Sequence, residues 1–406
     1  MSEFQASNFK KAQGGGAPDI VGKVELTSPY FFVPPSGDTA SRPQSCAPGT
    51  IRFNTDVGTL EVYRGDTIGW EYIQKRDGQY LGGAASPASG SIDGRGTRAL
   101  FGGGYIAPGP CFNNVDAITV ETLGNTIDFN NLTASKTGGY TLGNSTRSVY
   151  AGGRLSTTPS GSGTNEISFC TFSTQNDYSD SGGDLSASKI FGAGLCNETR
   201  GLFAGGSVPA YNNTIEYVTI SALGNSVDFG DISYGVAGYA YGFSSTTRGI
   251  IAGGVRVNTP DTDSYNEVGF VTISSTGNTT DFGDLLFDKY EGGAGSSATR
   301  GVVMAGYGPN YTHKIEFCTM ATTGNFADFG DLTNLNGTGK YSASSKTRAV
   351  VGGGYVNPGS GDLGFSNIIE FIEISTTGNG TDFGDFINFG RRASNFNNSC
   401  NGHGGL

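Results

Sequence analysis

Short runs of alternating apolar and polar residues, broken by glycine, recur along most of this chain, and no stretch shows the 3.6-residue apolar spacing of an amphipathic helix. One such run always follows Thr-Arg. The copies read TRALFGGG from Thr97, TRSVYAGG from Thr146, TRGLFAGG from Thr199, TRGIIAGG from Thr247, TRGVVMAG from Thr299 and TRAVVGGG from Thr347. Their starts lie 48 to 53 residues apart. A second apolar run follows each: IEYVTI from Ile215, VGFVTI from Val268, IEFCTM from Ile315, IIEFIEI from Ile368. A third element closes the unit, GN-x-x-DFGDL, at Gly224, Gly277, Gly324 and Gly378. It is degenerate at Gly124 (GNTIDFNNL) and nearly lost at Gln175 (QNDYSDSGGDL).

Runs of this length, separated by turn residues, predict short antiparallel strands. A period near ~50 residues with four strand-like segments and a glycine pair is the pattern of a kelch-type propeller blade. No single blade buries both faces of its sheet. Stacking blades around an axis does so, and closing the ring removes open sheet edges. The expected fold is therefore all-β: a kelch-like β-propeller of about six blades over residues 78–406. A first-strand-like segment occurs at both ends of the array, as QYLGGAASPAS before Thr97 and as RRASNFNNSC after the last repeat. One terminus can thus complete a blade begun by the other, and the blade phase stays open.

Residues 1–77 do not fit the repeat. Residues 1–47 are polar and punctuated by Gly and Pro, which predicts an extended arm. Its apolar anchors are Phe4, Phe9, Ile20, Val21, Phe31 and Phe32. Such anchors suit docking on another protein, by groove or by strand addition. Residues 48–77 contain PGTIRFNTDVGTLEVYRGDTIGWEYI, where Ile51 and Phe53 alternate, Asp56-Val57-Gly58 turns, and Leu60, Val62 and Trp70 continue. This reads as a small β-meander.

Composition sharpens the picture. Sixty-eight glycines among 406 residues would suit a disordered chain, but 26 Phe and 19 Tyr would not. A formal net charge of −11 argues against nucleic acid, which needs clustered Lys and Arg. The six cysteines show no CxxC pair, so neither a zinc site nor a disulfide framework is implied. Cys170 and Cys318 occupy matching repeat positions that elsewhere hold Val or Ile, as buried thiols would. The N-terminus lacks the apolar run of a signal peptide, and no stretch suits a membrane-spanning helix. A product made in the cytoplasm is expected.

Two residue classes repeat with the blades: Arg98, Arg147, Arg200, Arg248, Arg300 and Arg348, and Asp228, Asp281, Asp328 and Asp382. A ligand ring is conceivable. The stronger reading is structural, because a residue present in every blade solves a problem every blade has. Arg can fork onto a carboxylate or turn carbonyls, and Asp can accept turn N–H groups. Ligand contacts belong where copies differ, in loops rich in Ser, Thr, Asn and Tyr. The candidates there are Tyr211, Tyr265, Tyr307, Tyr311 and Tyr355. Enzyme signatures fare poorly. His313 and His403 are the two histidines, too few for a copper oxidase that also needs a Tyr–Cys pair, and Trp70 is the single tryptophan, against sialidase Asp boxes. No GxSxG elbow occurs. DTDSYNE from Asp261 alternates oxygen ligands without the spacing of a calcium loop. No catalytic, metal or cofactor site is expected.

The segments FVPPSGDTASRP, GTIRFNTDVGTLEVYRGD…W and TRGxxAGG…IEFVTI…GNxxDFGDL together resemble virion structural proteins of marine cyanobacterial phages, of the tail-fibre or appendage type. The likeness covers nearly the whole chain and carries over no catalytic residue. It implies a virion protein held to other particle proteins through residues 1–77, in multiple copies. Its propeller would be displayed for binding a host-surface receptor or polysaccharide. The alternatives are a capsid or neck decoration protein without a receptor role and, behind it, a glycan-active propeller enzyme.

Overall fold

In the computed structural model the described residues are 34–43, 46–56, 59–66, 69–72, 98–105, 110–155, 163–207, 212–235, 238–258, 261–333, 337–356 and 364–387. They are all-β, with no helix among them. The chain divides into two units, Met1–Ser89 and Gly90–Leu406.

The first unit holds one sheet: Ser36–Gly37, Ile51–Asn54, Thr59–Tyr63 and Trp70–Tyr72. The first pair is parallel and the others antiparallel. The sheet thus takes in Ser36–Gly37, which the sequence assigns to the arm. So small a sheet has little apolar core. A buried polar cluster helps hold it. Glu61 is fully buried and accepts from Arg42 Nε at 3.0 Å and from Asn54 Nδ2 at 3.2 Å, with Arg52 Nε 3.5 Å away. Trp70 Nε1 donates to Pro43 O at 3.0 Å, tying the proline-rich stretch to the last strand.

The second unit is a series of antiparallel meanders, consistent with the β-propeller-like class. The first sheet has three described strands, Arg98–Gly102, Asn114–Thr119 and Ile127–Asn131. Each of the next five has four in sequence order. The second comprises Tyr140–Gly143, Arg147–Ala151, Glu166–Thr171 and Ser179–Asp184, and the third Ala193–Cys196, Arg200–Ala204, Thr214–Thr219 and Val227–Asp231. The fourth comprises Tyr241–Ser244, Arg248–Asn258, Asp261–Thr272 and Thr280–Asp284. The fifth comprises Gly293–Ser296, Arg300–Tyr307, Tyr311–Thr319 and Ala327–Asp331, and the sixth Tyr341–Ser344, Arg348–Gly352, Ile368–Glu373 and Thr381–Asp385.

The core lies between consecutive sheets. Phe229 and Ile232 of the third meet Val271 and Ile273 of the fourth, and Phe282 and Leu285 of the fourth meet Cys318 and Met320 of the fifth. The sixth sheet meets the first in the same way, Phe383 and Phe386 packing with Phe101, Ile118 and Val120. The phenylalanine of DFGD is thus the core residue of the last strand, and the glycine after it explains itself by space. Gly230, Gly283, Gly330 and Gly384 have φ of 138–150°, where L side chains rarely go. A Cβ on Gly230 would sit 2.5 Å from the Gly277 carbonyl group of the next sheet, and one on Gly384 equally close to that of Gly124. Main-chain bonds cross at the same places: Gly277 N to Phe229 O at 2.7 Å, and Gly124 N to Phe383 O at 2.9 Å.

Cys170 and Cys318 are buried thiols, and burial pushes them up to about 11 and about 12.

Candidate binding face

The repeated arginines make junctions between sheets. Each of five lies over an aromatic ring on its own sheet's third strand, Arg147 over Phe169, Arg200 over Tyr217, Arg248 over Phe270, Arg300 over Phe317 and Arg348 over Phe371, at 4.5–4.7 Å. Arg98 lies over Phe129 instead, because Ala117 takes that third-strand place in the first sheet. From there the guanidinium reaches the following sheet. Arg147 donates to Ile220 O at 2.9 Å, Arg200 to Ile273 O at 3.1 Å, Arg248 to Met320 O at 3.1 Å and Arg300 to Ile374 O at 2.9 Å. Arg348 of the sixth sheet donates to Glu121 O of the first at 3.1 Å, and Arg98 bonds Phe172 O of the second. Carbonyls are the recurring acceptors; Arg348 also pairs with Glu373, at 2.6 Å.

The aspartates are placed differently. Asp228, Asp281, Asp328 and Asp382 are exposed, beside a β-bulge of the fourth strand in which the following phenylalanine is the extra residue. The asparagine of the GN pair is the residue that accepts backbone N–H groups, and it does so between sheets. Asn278, Asn325, Asn379 and Asn125 accept, at 2.9–3.1 Å, from the backbone N–H of Asp231, Asp284, Asp331 and Asp385 on the preceding sheet.

With these repeated groups committed to packing, the non-repeated side chains collect at one end of the first strands, where the loops joining second and third strands also lie. Immediately before the first strand, five sheets share a backbone position with positive φ: Gly138 (75°), Phe191 (61°), Tyr239 (57°), Glu291 (59°) and Gly339 (65°). Their main chains bond in relay. Phe191 N donates to Gly138 O, Tyr239 N to Phe191 O, Glu291 N to Tyr239 O and Gly339 N to Glu291 O, at 2.6–3.2 Å. The conformation is fixed by this relay, so it persists whichever residue occupies it.

Three of those positions carry side chains, and two begin an aromatic run. Phe191 stacks on Tyr239, centroids 4.4 Å apart and planes 18° from parallel. Tyr239 meets Tyr290 at 6.0 Å, Tyr290 meets Tyr307 edge-on at 5.5 Å, and Tyr307 meets Tyr311 at 4.8 Å. All five are half-buried. Tyr290 and Tyr307 also pair through reciprocal main-chain bonds. Of the other loop candidates, Tyr265 lies under the Arg256 guanidinium at 4.2 Å, and Tyr355 packs edge-on with Phe365 at 5.5 Å. Tyr211, the arm anchors Phe4, Phe9, Ile20, Val21, Phe31 and Phe32, and His403 lie outside the described residues.

Buried cations are the feature that sequence reading missed. Lys136, Lys189, Lys289 and Lys340 are almost wholly buried. Lys136 pairs with Glu166 at 2.7 Å, Lys189 with Glu216, and Lys289 with Glu316 at 2.9 Å. Burial lowers Lys289, and Glu316 opposes it. Lys340 donates to the carbonyls of Gly353 and Tyr355, and burial pushes it down to about 7. These pairs brace the segments leading into the first strands of the second, third and fifth sheets. His313 is exposed, 3.7 Å from Asp331. Among the described residues no cluster of three or more His, Cys, Asp or Glu has metal-binding geometry. The Asp261 and Thr262 side chains of the DTDSYNE segment lie outside the described ones.

No protein-family model matches the chain, and comparison with curated proteins finds no match either.

Proposed function

We propose that the chain is a non-enzymatic bacteriophage virion protein whose second unit is a closed, six-bladed kelch-like propeller displayed for host-surface binding. Residues 1–77 would hold it to other particle proteins. One observation carries the reading. The repeated arginine, asparagine and glycine contacts recur at the sixth-to-first junction as at the third-to-fourth, fourth-to-fifth and fifth-to-sixth, and they spend the repeated groups on packing, while unrepeated aromatics gather at one face. Propellers with a packed interior and variable loops bind at the loop face. The resemblance of FVPPSGDTASRP and the repeat segments to cyanobacterial phage structural proteins is what supports the particle context. Many copies would turn weak single contacts into firm attachment.

The test is particle incorporation. Phage carrying the chain without residues 1–45 should assemble but lack the protein by mass spectrometry, while the truncated chain stays folded. Incorporation at normal copy number would remove the arm as anchor. Absence of the intact protein from purified particles would remove the virion reading altogether.

A further inference from the structure

We propose that the run Phe191–Tyr239–Tyr290–Tyr307–Tyr311 is a binding platform for a neutral polysaccharide; this rests on the surface-binding reading and names its ligand class and site.

The argument begins with backbone cost. At the positive-φ position before the first strand, Gly138 and Gly339 show what the fold alone requires. Phe191 and Tyr239 hold the same conformation with bulky side chains, for which it is strained. The relay of main-chain bonds needs no side chain there. A repeated position filled by glycine in two copies, by stacked aromatics in two and by Glu291 in one is one where side chains were added at the expense of stability. Such outliers point to function.

The surroundings are arranged for those rings. A Cβ on Gly138 would lie 2.5 Å from Phe191 Cε1, so glycine in the neighbouring sheet makes room for the ring. From Phe191 to Tyr311 each centroid lies within 6.0 Å of the next, forming a continuous strip across the third to fifth sheets. Half-buried tyrosines are rigid, lose little side-chain entropy on binding, and offer an apolar ring beside a hydroxyl. Sugar rings present apolar C–H faces bordered by hydroxyls, which match that pairing. An elongated strip suits a chain of sugars better than a compact ligand. None of the five residues is charged, and the net charge of −11 repels polyanions, so the fitting glycan is uncharged.

The experiment uses the full chain in affinity gel electrophoresis against dextran, mannan, a neutral galactan and the polyanion alginate. Retardation by at least one neutral polymer is expected, and Phe191→Gly and Tyr239→Gly should each weaken it at least ten-fold. Because glycine relieves the strain, both variants should melt within about 3 °C of the parent. Unchanged retardation of the variants overturns the site, as does a clear fall in melting temperature without loss of binding. Retardation by alginate alone, or by none of the polymers, overturns the ligand class. Adsorption of phage carrying Tyr239→Gly separates the two levels. Lost adsorption without polysaccharide binding overturns the ligand while the surface-binding reading stands. Polysaccharide binding by a protein absent from particles supports the platform and defeats the virion reading.

Discussion

Replacing Gly384 with alanine tests whether the sixth sheet closes on the first. Gly384 has φ of 145°, a region essentially confined to glycine, and its new Cβ would sit 2.5 Å from the Gly124 carbonyl carbon and oxygen. The strain amounts to about 1–3 kcal/mol. Relieving the clash moves the two strands apart, which endangers Gly124 N to Phe383 O at 2.9 Å, Thr126 N to Asp385 O at 2.9 Å and Asp385 N to Asn125 Oδ1 at 3.0 Å. Each such bond is worth roughly 1 kcal/mol net. With partial loss the total comes to about 3–5 kcal/mol, a drop of roughly 5–8 °C in melting temperature for a unit of this size. The control is Gly283→Ala, whose Cβ would meet Gly324 in the same way between the fourth and fifth sheets. Thermal unfolding followed by circular dichroism should show equal losses for both. A neutral Gly384→Ala beside a damaging Gly283→Ala would refute a closed ring.

Arg300→Ala removes a bond to Ile374 O and the stacking on Phe317, and should destabilise the unit by about 2–3 kcal/mol by chemical denaturation; no change would mean the arginine is not a junction. Lys289→Met leaves Glu316 buried without its cation and should cost roughly 3–5 kcal/mol, whereas adding Glu316→Leu should recover most of it; an additive double variant would show that the pair is not coupled. Lys340 titrates near 7 in the fold and near 10 when unfolded, so between those values the unfolded chain binds more protons. Stability should therefore rise from about pH 7 toward pH 10, and Lys340→Met should flatten that rise; an identical pH profile would show that the lysine is not buried in solution. Above about pH 10 the sign reverses, because burial raises Tyr140 and Tyr241 and the folded state holds protons that the unfolded chain releases.

The repeat period and the apolar alternation of TRGLFAGG and IEYVTI made the strands legible, since both depend on local spacing alone. The glycine of DFGD was visible as a repeated residue, but its reason lay in the next sheet, at a Gly277 that is 47 residues beyond Gly230 or a Gly124 far back in the chain from Gly384. The arginine acceptors were hidden for the same cause: Arg200 bonds a carbonyl 73 residues away, and a backbone acceptor leaves no mark on residue type. The strained aromatics had a signal that went unread. Aligning the residues before each first strand sets Phe191, Tyr239 and Glu291 beside Gly138 and Gly339, and a bulky residue in a glycine column invites a question. The assignment of Asp228, Asp281, Asp328 and Asp382 to turn contacts rested on residue type, whereas the neighbouring asparagines are the ones in reach of the N–H groups.

The fourth sheet shows why the buried Lys–Glu pairs resisted recognition and what they are for. At the third-strand position held by Glu216, Glu316 and Glu370, it has Gly269. A Cβ there would lie 2.6 Å from Tyr234 Cε1, so the tyrosine ring occupies the space vacated by the acid, and its hydroxyl bonds Ile251 O at 2.9 Å. In the second sheet the equivalent residue is Ser168, and the acid moves two residues to Glu166, still 2.7 Å from Lys136. The same internal volume is thus filled by an ion pair in some sheets and by an aromatic in another. Burying a charged pair gains little over packing an apolar group, while removing one partner is costly, so acid and base must change together. Such coupled drift blurs any repeat read one column at a time, and it leaves the arginine-to-carbonyl contact as the feature that every junction keeps, since Asp177 and Asn130 replace the asparagine and the glycine between the first and second sheets.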